Sequence, residues 1–148
     1  MLRISKLTDY GIVLLAHFAE RPGETCNARE LALATGLPFP AVGKVLKSLA
    51  QEGLLVSHRG AKGGYTLARA PGEISVVEII EALEGPIALM ACSAGPGHCH
   101  QEATCRVRDP WQTIHGAIRS TLSRVNLAGL VQPAAPRSQS MEGGSPHV

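Results

Sequence analysis

Along the first fifty residues apolar positions recur at helical spacing, and after them the spacing becomes strand-like. Over residues 6–20 Ile12, Leu15, Ala16 and Ala19 fall on one face, which predicts a first helix that "RPGET" at 21–25 then breaks. Asn27 stands three residues before Glu30, the spacing of a capping box, and "ARELALATG" follows as a short helix stopped by Gly36. "LPFP" predicts a tight turn. A third helix starts near Pro40, where a missing N–H costs least, and Gly53 ends it. Within it Val42, Val45, Leu46 and Leu49 fall at i, i+3, i+4 and i+7. Two helices joined by a short turn make a helix-turn-helix pattern. "LLVSHRGAKGGYTLARA" then predicts a hairpin, with strands at 54–58 and 65–68 joined by "RGAKGG".

Ser75 and Glu78 form a second capping box, opening the helix "VVEIIEALEG". A Gly- and Pro-rich stretch around three cysteines is expected to be a loop. Asp109, Pro110 and Gln112 read as N-cap, first-turn proline and capping-box glutamine of a last helix running to about Asn126. Trp111, Ile114, Ile118 and Val125 form a stripe of roughly 3.5-residue period along it, with Leu122 beside them. Few elements remain to cover that stripe, so a homodimer through the helix of residues 110–126 is expected. The fold class is mainly α: a winged helix-turn-helix with a β-hairpin wing and a long C-terminal dimerisation helix. The expected division is a DNA-binding domain at 1–70, a loop-and-dimerisation segment at 71–130, and a disordered Pro/Gly/Ser-rich tail at 131–148.

A helix-turn-helix followed by a hairpin places its second helix in a major groove. Opposite the apolar stripe this helix carries Gly43, Lys44, Lys47, Ser48 and Gln51, side chains suited to phosphates and base edges. Arg59 and Lys62 sit at the hairpin tip, where a cation meets the minor groove. Gly63 and Gly64, with Gly60, permit the turn, and Tyr65 follows them. The charge agrees with this placement. Residues 1–70 contain nine Lys/Arg against five Asp/Glu, whereas residues 71–148 contain five against seven. No apolar run approaches the ~20 residues of a bilayer span, and the N-terminus lacks the apolar core of a signal peptide, so no membrane and a cytoplasmic location are expected.

"CSAGPGHCHQEATC" spaces Cys92, Cys99 and Cys105 as C-x6-C-x5-C. Zinc sites commonly pair ligands as C-x2-4-C, and neither gap fits. In a reducing compartment such thiols serve as metal or cluster ligands or as a redox switch. Cys26, upstream at a helix start, reads as a small packing residue. No CxxC, phosphate-cradling glycine loop or Ser/His/Asp set argues for an enzyme.

The opening "MLRISKLTDYGIVLLAHFA", the segment "GLLVSHRGAKGGYTLARAPGEISVVEIIEALEGP" and the three-cysteine loop together resemble the iron–sulfur winged-helix regulators that include IscR and NsrR. The opening and the wing most resemble the branch regulating SUF iron–sulfur assembly genes. The resemblance spans roughly residues 1–130. It implies a homodimeric repressor on a pseudo-palindromic operator, with affinity set by a 2Fe–2S or 4Fe–4S cluster on Cys92, Cys99 and Cys105. Some relatives add a histidine three residues after the third cysteine, but that position here is Arg108. Others use an acidic residue of the first helix, supplied by the partner subunit, and Asp9 matches that place. His98, His100 and Glu102 compete within the loop. A nitric-oxide-sensing repressor, a zinc-binding interaction module and a thiol redox protein stand as alternatives.

Overall fold

Local caps set most helix starts in the computed structural model, which describes residues 3–132. The Ser5 hydroxyl accepts from the Thr8 N–H and opens α1 (Lys6–Glu20). Asn27 and Glu30 exchange two 2.9 Å bonds at the head of α2 (Ala28–Thr35). Gly36 closes that helix in the left-handed region, and α3 (Phe39–Gln51) follows with Pro40 in its first turn. Strands β1 (Leu55–His58) and β2 (Gly64–Leu67) pair antiparallel, Leu55 opposite Leu67 and His58 opposite Gly64. The Ser75–Glu78 capping box opens α4 (Val76–Glu84). A short 3-10 turn, Ala91–Ser93, interrupts the expected loop, and α5 (Arg108–Arg124) and α6 (Leu127–Val131) complete the described chain. The architecture is mainly helical with one two-stranded wing, a winged helix.

One core joins these elements. Leu14, Leu15 and Phe18 of α1 meet Leu31 of α2, the whole Val42, Val45, Leu46 and Leu49 stripe of α3, and Ile74, Ile79 and Leu127 from later in the chain. The buried face of α1 is turned from the expected one. Thr8, Gly11, Leu14, Leu15 and Phe18 are buried, while Ile12, Ala16 and Ala19 flank them half-buried. The bulk of Leu14 and Phe18 fills the centre, and Gly11 lets Leu83 of α4 approach the helix backbone. Cys26 is buried in this core, as expected of a packing residue.

The C-terminal elements differ most from expectation. α5 begins at Arg108, with Val107 at its N-cap and no side-chain cap, so Asp109 lies inside the first turn. Gln112 does not close a capping box, because its amide donates to the Cys92 carbonyl at 3.0 Å. The helix ends at Arg124, and no residue in it is buried. Beyond it Val125 turns extended. The Val76 N–H donates to its carbonyl at 2.9 Å, and the Leu127 N–H donates to Ile74 at 2.8 Å. Asn126 then caps the short α6, an element not foreseen, whose Leu127 is fully buried. Val131 thus belongs to a helix, and the rest of the expected tail from 133 on lies outside the described residues.

Candidate nucleic-acid interface and cysteine loop

With its apolar stripe in the core, α3 turns Lys44, Lys47 and Gln51 outward, all exposed. Ser48 is half-buried and its hydroxyl donates to the Lys44 carbonyl at 3.2 Å, which occupies its donor within the helix. No acidic residue stands in the first turn of α3, so nothing there repels a phosphate. β1 packs against α3 and carries the wing, whose tip exposes Arg59 and Lys62. The tip is closed by the Gly63 N–H donating to the Gly60 carbonyl at 2.9 Å.

Packing accounts for Gly63, Gly64 and Tyr65. A Cβ on Gly63 would lie 2.6 Å from the His58 carbonyl oxygen. Gly64 has φ +156°, and a Cβ there would lie 2.6 Å from the Cys26 carbonyl oxygen. That closeness lets Tyr65 exchange two backbone bonds with Cys26, at 2.8 and 3.1 Å, stitching the wing to the segment before α2. Burial pushes the Cys26 thiol up, helped by Glu30 and Glu24, and keeps it protonated. Phe39, which opens α3, is exposed as well, a position that the apolar periodicity does not single out. Its signal was an aromatic beside prolines in the expected turn.

Cys92, Cys99 and Cys105 are free and half-buried. The loop holding them is fastened to α5 at two points. Gln112 holds the Cys92 carbonyl. Glu102 accepts from the Gly97 N–H at 2.8 Å and from Arg108 at 2.9 Å. Arg108, where some relatives place a histidine, therefore pins the loop, and Glu102 is engaged by Arg108 and Gly97. His98 and His100 are exposed. Among the described residues, no three of Cys, His, Asp and Glu are gathered where one metal ion would hold them. Asp9 is exposed on α1, in a hollow lined by Arg3, Ile4, Ser5, Lys6 and Ile12 and by no cysteine. The Ser93 hydroxyl in the 3-10 turn and His115 Nδ1 in α5 are buried without partners. Three free, half-buried thiols on one loop have the donor chemistry of a group bound through thiolates, although the loop does not gather them at one point.

A helix-turn-helix with lysines on its outward face, followed by a wing, defines a DNA-binding transcriptional regulator of the winged-helix class. A model of the Rrf2 family, described as an iron-dependent transcriptional regulator, matches residues 4–133, and the chain belongs to that family. The transcriptional repressor NsrR of Streptomyces coelicolor is 30% identical over 137 residues, 91% of this chain and 90% of that protein. Among solved structures, CymR, the global cysteine regulator of B. subtilis, superposes with a TM-score of 0.69 at 28% identity, covering 88% of this chain and 97% of that one. T. potens IscR gives 0.67 at 27% identity, covering 96% and 94%. These relatives are regulators and not enzymes. No helix among the described residues is long and apolar enough to cross a membrane.

Proposed function

We propose that this chain is an iron–sulfur-dependent repressor that reads its operator as a homodimer. The observation that carries the reading is the set of three half-buried thiols on a loop fastened to α5 by Gln112, in a family described as iron-dependent. Cys92, Cys99 and Cys105 would hold a 2Fe–2S or 4Fe–4S cluster, with Asp9 of the partner subunit as a further ligand. When bound, the cluster supplies a state that iron supply, oxidation or nitric oxide alters. The resemblance to the SUF branch favours iron–sulfur assembly genes as targets.

Lys44, Lys47 and Gln51 of α3, with Arg59 and Lys62 of the wing, face the duplex. Two such heads in a dimer meet successive major-groove faces ~34 Å apart on a pseudo-palindromic site. Gln112 and the Glu102–Arg108 pair transmit the position of the loop to α5, and through α5 to the spacing of the heads. Anaerobic purification tests the reading. Iron and acid-labile sulfide with visible charge-transfer absorption are expected, and Cys99→Ala should lose both. Zinc alone, or no metal after reconstitution, would overturn it. A protein whose DNA affinity is unchanged by loss of its iron would overturn the switch.

A further inference from the structure

The first turn of α3 exposes an aromatic ring that the fold does not use. The chain has only two phenylalanines. Phe18 is 2% exposed in the core, whereas Phe39 is 52% exposed. Phe39, Gly43 and Lys47 follow one another at i, i+4 and i+8 and so share one strip of the helix surface. Pro40 and Lys44 lie on the strip beside it. Both strips divide in the same way. Residues 39–43, "FPAVG", carry no side-chain nitrogen or oxygen, while Lys44, Lys47, Ser48 and Gln51 behind them supply all the polar atoms. A Cβ on Gly43 would meet nothing within 4 Å, so the helix has an open notch there.

The polarity of the helix matters because a recognition helix brings its N-terminal residues to the base edges. In the major groove those edges offer hydrogen-bonding atoms and, on thymine alone, a methyl group. A helix end without side-chain hydrogen-bonding atoms has only the methyl to read. We propose that Phe39, with the Gly43 notch beside it, is a specificity-determining residue that contacts thymine methyl groups in each half-site. The lysines behind it neutralise phosphates and set affinity without choosing sequence. Pro38 and Pro40 flank the ring and restrict the backbone that carries it.

This inference rests on α3 being the helix that faces DNA, and one experiment separates the two. Duplexes are selected from a random library by the full chain, and each thymine of the selected site is then replaced by deoxyuridine, which removes only the methyl. At the contacted thymine the wild type should bind about fourfold more weakly, the value for one buried methyl. Phe39→Leu should keep that sensitivity and Phe39→Ala should lose it, with thermal melts matching wild type because the ring is outside the core. Equal binding of thymine and deoxyuridine duplexes by the wild type overturns the inference. So does an unchanged sensitivity in Phe39→Ala, or a selection that recovers no preferred sequence. The double variant Lys44→Ala/Lys47→Ala should weaken both duplexes alike. If it weakens neither, α3 does not face DNA and the proposed mode of reading falls with the inference. If it weakens both while wild type ignores the methyl, the Phe39 inference falls alone.

Discussion

At the scale of single residues, the wing depends on a glycine more for what lies behind it than for the turn it joins. Gly60 and Gly64 both have positive φ, +113° and +156°, but they meet different surroundings. A Cβ on Gly60 would point into open space, whereas one on Gly64 would strike the carbonyl and carbon of Cys26 and the nitrogen of Asn27. Gly60→Ala should therefore lower stability by only the conformational term, about 1–2 kcal/mol. Gly64→Ala adds a backbone collision that no rotamer change can relieve, and should lose about 3 kcal/mol or more. Urea denaturation of the two variants measures the difference. Equal losses would mean that the wing is not held against Cys26.

Among elements, α5 is the one whose sequence pattern and surroundings disagree within a single chain. It has an apolar stripe and no buried residue, with Ile114 44% exposed. Such a face calls for a covering surface. Ile114→Glu is expected to convert a dimer to a monomer in sedimentation equilibrium while leaving unfolding cooperative, because Ile114 supports no core contact of its own chain. A dimer that survives the change would place the seam elsewhere. Elements whose ends are fixed locally were legible from sequence: the capping boxes at Asn27 and Ser75, the Gly36 stop and the α3 stripe each involve neighbours a few residues apart. Two of the failures were non-local. Gln112 has the spacing of a capping box but spends its amide on Cys92, twenty residues back. α6 is only five residues long, and its place is fixed by Ile74, far earlier in the chain. Of the candidate site, the lysines were legible by periodicity, whereas the packing behind Gly64 required the fold.

For the molecule as a whole, Glu84 ties the start of the chain to the segment leading into the cysteines. Its Oε1 accepts from the Thr8 hydroxyl at 2.7 Å and from the Ser5 N–H at 2.6 Å. Those bonds, the Thr8 hydroxyl first, hold its carboxyl below the ordinary value of 4.5. A carboxyl depressed on folding stabilises the folded state above its unfolded value, and that contribution is lost as pH falls through the folded one. Glu78, depressed by the Ser75 N–H and Arg69, acts in the same direction. Stability should therefore decline as pH drops below 4.5, and Glu84→Gln should flatten that decline in acid melts. An unchanged slope would show that the clamp does not survive in solution. Leu127, fully buried, has a different consequence, one of timing. The core around α1 lacks a wall until residue 127 arrives, and the cysteine loop and α5 are made before it. At about 5–20 residues per second, translation delivers that wall seconds after α4 has emerged. The head thus reaches its full packing only after the cysteine loop has been made.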